Sequence, residues 1–141
     1  VYDRGRMYQV LTICMHNLSQ LFGLREACLS HSTVIGHISL RRETALFLAF
    51  AVYDLLYNAL NISSSRLEKA NLQLNLNVDS KDMIKLSLRD DGHVFKRKLK
   101  FTEDQPALMA LSQCAVKRKG LVSISRVNVT EIGMRLPLEH N

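Results

Sequence analysis

Tryptophan is absent from this 141-residue chain, aromatic residues make up 6% of it, and it contains two prolines and six glycines. So few rings exclude a platform on which successive bases stack, and so few breakers exclude collagenous or low-complexity chains. The three cysteines, Cys14, Cys28 and Cys114, are far apart and form no CxxC or Cys/His ligand spacing. That excludes a disulfide scaffold and offers no zinc site, so they read as reduced, mostly buried thiols. No long hydrophobic run is present either. The most apolar stretch, Thr44 to Leu60, carries Asp54 and Asn58 and opens beside Arg41, Arg42 and Glu43. It reads as a buried amphipathic helix and not as a membrane span. Asp3, Arg4 and Arg6 near the start do not lead into a signal-peptide pattern. Because the first residue is not Met, the sequence reads as a piece excised from a longer chain.

What is present suits one core. Hydrophobic residues make up 47% and charged residues 23%, enough for one domain over 1–141 and too little for two. Within it, residues 1–29 are expected to form a helix and connection, and residues 30–138 the main body. The formal charge of +6 comes from 19 Lys and Arg against 13 Asp and Glu, with basic clusters at Lys96 to Lys100 and Lys117 to Lys119. Such an excess suits an anionic partner.

Hydrophobic periodicity sets the elements. Met7, Val10, Leu11, Cys14, Leu18, Leu21 and Phe22 recur at helical spacing before Gly23, predicting a helix over 2–22 that stops there. Thr33, Val34, Ile35 and Ile38 predict a short strand within 30–38. Helical spacing returns from Arg41 to Asn61. The period then drops to two: Leu72, Leu74, Leu76 and Val78, then Ile84, Leu86 and Leu88, alternate with polar residues across the turn-forming Asp79-Ser80-Lys81-Asp82. An antiparallel hairpin with one wet face follows. Asp104 and Pro106 predict the cap and first turn of a helix running to about Lys117. Val122 and Ile124, then Ile132, Met134 and Leu136, predict a closing hairpin. One apolar face per strand and one stripe per helix make the fold class α+β, a two-layer α/β sandwich with helices on one face of a mixed sheet.

Val52-Tyr53-Asp54-Leu55-Leu56-Tyr57-Asn58-Ala59-Leu60 resembles the Asn-bearing helix of the GHKL ATPase superfamily, as found in the ATP-binding domain of bacterial sensor histidine kinases. Asp54 and Asn58, four apart, share one helix face. Ile84 to Leu88 running into Arg89-Asp90-Asp91-Gly92 resembles the first glycine box, and Gly120 to Pro137 is similar to the final hairpin, with Thr130 seven residues before Pro137. The resemblance implies a histidine-kinase ATPase-like fold and ATP with Mg²⁺ as cofactors. It implies that Asn58 holds the nucleotide-bound Mg²⁺, that Asp54 assists catalysis in place of the usual Glu, and that Asp90, Gly92 and Thr130 form the adenine side of the site.

The chain also departs from that pattern. Val94 stands where the box has its second glycine, and residues 93–119, where a second glycine box belongs, contain no glycine. Backbone amides that would cradle phosphates are thereby lost. The implied protein is a catalytic-type domain in two-component signal transduction with weak or no ATP binding, a pseudokinase acting through domain contacts. Its partners would be a histidine-bearing dimerisation domain or a response regulator, with homodimerisation through other domains. Its place would be the cytoplasm, whether or not other segments hold the parent protein in a membrane. His16 reads as a surface or structural residue, because no second helix precedes the first strand to complete a phosphoacceptor hairpin. His31, His37, His93 and His140 have no ligand spacing and read as structural. An alternative reading keeps the α+β fold as a basic module that binds an acidic protein or nucleic acid through the two lysine-rich clusters, although no sequence-reading motif accompanies them.

Overall fold

The first helix, α1 (Arg4–Phe22), is closed at both ends by its own sequence. The Asp3 side chain accepts the Arg6 amide at 2.9 Å, satisfying one of the donors that every helix N-terminus leaves open. At the other end Gly23 takes a left-handed conformation with φ 65°. There its amide reaches the Gln20 carbonyl while that of Leu24 reaches Ser19, the paired bonds of a glycine C-cap. The computed structural model describes residues 3–24, 29–35, 38–62, 71–79, 81–91, 106–125 and 129–138. Its elements continue as β1 (Leu29–Val34), α2 (Arg42–Ile62), β2 (Leu72–Val78), β3 (Met83–Asp90), α3 (Pro106–Lys117), β4 (Leu121–Ser125) and β5 (Thr130–Pro137).

The five strands form one sheet in the order β1-β2-β3-β5-β4. β1 runs parallel to β2, and the other neighbouring pairs are antiparallel, so the sheet is mixed. Side chains alternate across it. Leu72, Leu74 and Leu76 of β2, Ile84, Leu86 and Leu88 of β3, and Ile132, Met134 and Leu136 of β5 are buried in one core with the inner faces of the helices. Gln73, Lys85, Ser87, Arg89 and Arg135 occupy the alternate positions on the opposite face. α1 packs on α2 and β1, and α3 packs on α2, β4 and β5. This is the expected α+β two-layer sandwich.

The β2–β3 turn is organised by Asp79. Its Oδ1 accepts the amides of Lys81 at 2.9 Å and Met83 at 3.0 Å, and its Oδ2 lies 3.6 Å from Lys85 Nζ. These hydrogen bonds, first that from Met83, hold the Asp79 carboxyl below its usual range despite an opposing effect of desolvation.

Three expectations need correction. The buried stripe of α1 is Met7, Leu11, Met15 and Leu18, while Leu21 is exposed. Helical spacing alone admits Leu21 as readily as Met15. The first strand ends at Val34, short of Ile38. Nor are the thiols mostly buried: Cys114 is exposed and Cys14 half-buried, though partial burial does push the Cys14 thiol up. Cys28, the Asp104 cap and the Lys96 to Lys100 cluster lie outside the described residues. Among the described residues no helix is long and apolar enough to cross a membrane.

Candidate functional site

The inner face of the sheet is apolar along most of its length, and its pattern is broken at one end. In the last row of the register Leu72 of β2 lies opposite Asp90 of β3, and Asp90 lies opposite Thr130 of β5. Asp90 continues the parity of Ile84, Leu86 and Leu88, so the pleat that drives leucines inward also drives this carboxylate inward. Asp90 is 0% exposed and Thr130 7%. Burying a carboxylate is costly without a partner, and both residues engage one. Asp90 is the one buried acid among the described residues. Its neighbours point away: on the outer face Arg89 Nε donates to Asp91 Oδ1 at 2.6 Å, which raises the guanidinium's proton affinity further.

Phe22, in the last turn of α1, lies 5.8 Å ring to ring from Tyr57 of α2. Asp54 is half-buried on α2 and engages a partner. Position 58 falls one turn further on. The Asn58 side chain and the whole of Gly92 lie outside the described residues. Of the sequence-predicted residues, the described side chains place Asp90 and Thr130 side by side.

A second polar group on the inner side of the sheet is one that sequence reasoning misses. His31 of β1 makes a 2.9 Å hydrogen bond through Nε2 to Thr12 Oγ1, and its ring centroid lies 4.5 Å from that of Tyr8. Thr12 Oγ1 donates to the Tyr8 carbonyl at 2.8 Å, so its oxygen accepts from Nε2–H and the proton of the neutral ring sits on Nε2. Desolvation lowers the pKa of His31. No motif announces this pairing, since it depends on how α1 crosses β1. His16 is exposed.

Among the described residues no group of three His, Cys, Asp or Glu could hold a metal ion. Mg²⁺ needs no such cage, because it keeps waters and binds through one or two side chains together with nucleotide phosphates. The pair of oxygen-bearing positions 54 and 58, one helical turn apart, is compatible with that demand.

No family model matches the sequence, and no curated protein does. Solved structures do. The Erythrobacter litoralis EL346 blue-light activated histidine kinase superposes with a TM-score of 0.65 at 16% identity, over 98% of this chain and 46% of that one. This chain therefore spans about half of that kinase. The ATP-binding domain of PrrB from Mycobacterium tuberculosis matches at a TM-score of 0.61 and 18% identity, over 94% of this chain and 93% of that one. The mycobacterial sensor histidine kinase MprB matches at 0.58 and 15%, with 96% of each chain covered. Together with the sheet order and the helical layer, these matches show that the chain has the fold of the ATP-binding, catalytic domains of histidine kinases.

Proposed function

We propose that this chain is the nucleotide-binding, catalytic-type domain of a histidine kinase in two-component signalling, with its phosphate-binding side degraded. The observation that carries the reading is the buried Asp90 opposed to Thr130 at the end of the inner sheet face. A buried carboxylate accepts a hydrogen bond from an amino group with little competition from water. That is the chemistry an adenine amino group requires, and Thr130 supplies a hydroxyl beside it. Asn58 would hold Mg²⁺ with the phosphates, Gly92 would let the backbone pass close to the base, and Asp54 would assist transfer. Bound Mg²⁺ would neutralise phosphate charge. The phosphate would pass to a histidine on a dimerisation domain and from there to a response regulator, so those are the partners proposed.

The absence of glycine from residues 93–119, and Val94 in the first box, argue for weak affinity and for signalling through domain contacts. Each lost charge-assisted hydrogen bond from a backbone amide is worth about 1.5–3 kcal/mol, so two such losses weaken ATP binding by roughly a hundredfold or more. Calorimetric titration with ATP, ADP and adenosine in the presence of Mg²⁺ is the test. Weak binding is expected, with little gain from the γ-phosphate and abolition of adenosine binding by Asp90→Asn. Micromolar ATP binding that collapses on Asn58→Ala, with phosphate transfer to a separately supplied dimerisation domain, would instead establish an active kinase. Adenosine binding untouched by Asp90→Asn would remove the adenine assignment.

A further inference from the structure

Asp90 is the last residue of β3 and Thr130 the first of β5, so the proposed adenine side rests on a terminal row of the sheet. Strand ends open locally at little free-energy cost. Opening this row would also return a buried carboxylate to water, which relieves its desolvation. Closure therefore needs support from elsewhere in the row.

The register shows what stands behind it. The Leu138 amide donates to the Asp82 carbonyl at 2.8 Å, which makes Met83 and Pro137 a pair without mutual hydrogen bonds. Alternation along the unbroken ladder then makes Asp90 and Thr130 a hydrogen-bonded pair. Arg89 and Glu131, the pair before them, are of the other kind, in which side chains on one face stand closest. Both face outward, on the reverse of the sheet from Asp90 and Thr130. Arg89 Nε also donates to Asp91 Oδ1 at 2.6 Å, and the Asp91 amide donates to the Asn71 carbonyl at 3.0 Å, one residue beyond the end of β3. Arg89 thus stands between two acids, one following Asp90 in the chain and one following Thr130.

We infer that Arg89 is a positioning residue for the adenine side: from the reverse face it ties Asp91, next to Asp90, to Glu131, next to Thr130, and keeps the terminal row closed. In the adenine reading of Asp90 and Thr130, on which this role rests, a base is received only while both side chains hold their register. Apparent affinity then falls with the fraction of molecules in which the row is closed. Without the guanidinium, the carboxylates of Asp91 and Glu131 are left near one another with like charge, which favours the open row. Arg89 and Asp91 are part-exposed, so the tie is modest and sensitive to salt.

Adenosine titration and amide hydrogen exchange of the isotope-labelled 141-residue chain, both followed by NMR, test this. Arg89→Gln should raise the adenosine dissociation constant about twofold to threefold and Arg89→Glu roughly fivefold. Arg89→Lys keeps a cation opposite Glu131 and should stay within about twofold of the wild type. The Asp91 and Thr130 amides should exchange faster in the same order, while the Leu86 amide in the middle of β3 changes less than they do. Because adenosine is uncharged, salt reaches its binding only through the protein. Raising NaCl from about 50 mM to about 500 mM should weaken wild-type binding more than that of Arg89→Gln. If adenosine binds and Asp90→Asn abolishes it, but Arg89→Glu keeps wild-type affinity, the positioning role is overturned and the adenine reading stands. Lost affinity with unchanged exchange at Asp91 and Thr130 would also overturn it, since Arg89 would then act on the ligand directly. A wild-type chain that binds no adenosine removes the adenine reading and this role together.

Discussion

His31 shows how one side chain can make the fold respond to pH. Its Nε2 proton is engaged by Thr12, and Nδ1 is buried without a hydrogen-bond partner among the described residues. Protonation would place a second N–H in that partnerless position, so the folded state favours the neutral ring and its pKa is lowered by desolvation. In the unfolded chain the ring titrates near its ordinary value of about 6.5. Between the two values the unfolded state binds more protons, so stability rises with pH there. The contribution of His31 is thus fully present above about pH 6.5 and falls as pH drops through the lowered folded value. Thermal unfolding of the wild type and His31→Gln between about pH 8 and about pH 5 should show a difference that changes across this window, with the wild type losing more on acidification. A constant offset between the two would contradict the account.

At the scale of elements, α3 ends in a way that one substitution should improve and another damage. Lys119 has φ 62°, a left-handed conformation in which a side chain costs about 1–2 kcal/mol and which glycine adopts freely. Gly120 follows, and there a Cβ would collide with the Arg135 carbonyl oxygen and the Leu136 side chain of β5. Lys119→Gly should therefore stabilise the protein by up to about 1 kcal/mol in urea titration. Gly120→Ala should destabilise it by about 1–3 kcal/mol, because backbone on the β4–β5 hairpin has to move. The long helix and the Leu72–Leu76 and Ile84–Leu88 strands were legible in the sequence because their periods, near 3.6 and 2, run for several repeats without a competing pattern. The stripe of α1 was less so. Cys14 and Leu21 satisfy helical spacing as well as Met15 does, and the choice among them depends on where α2 and β1 sit against that helix. The parallel pairing of β1 with β2 has no local signal either, since it joins segments separated by a whole helix. Of the candidate site, Asp90 and Thr130 were singled out by resemblance alone, and their direct opposition comes from register. His31 with Thr12 had no signal at all.

For the whole molecule, the decisive fact is that α1 shares the core of the sheet instead of standing beside it. Met7, Leu11 and Leu18 are fully buried and Met15 nearly so, in one cluster with Leu48, Leu56, Leu74 and Leu88. Arg4 also reaches across from the first turn of α1, its Nε donating to the Thr33 carbonyl of β1 at 3.2 Å. Burial of four such side chains contributes about 1.5–3 kcal/mol each, or roughly 6–12 kcal/mol before the entropy of ordering the helix is set against it. That gross figure is comparable to the entire net stability of an ordinary domain, about 5–15 kcal/mol. Hydrophobic pattern alone sets residues 1–29 apart as a helix and connection preceding the main body, whereas Met7, Leu11, Met15 and Leu18 of α1 share that body's core. Deletion of residues 1–24 should accordingly abolish cooperative unfolding, because the inner faces of α2 and β1 would lose their cover. The intact chain should show coincident transitions by far-ultraviolet circular dichroism and tyrosine fluorescence, while the truncated chain should show a broad change without a baseline and should bind a hydrophobic dye. A truncated chain that melts sharply, within a few degrees of the intact one, would show that the sheet and the two remaining helices form a self-sufficient domain to which α1 is appended.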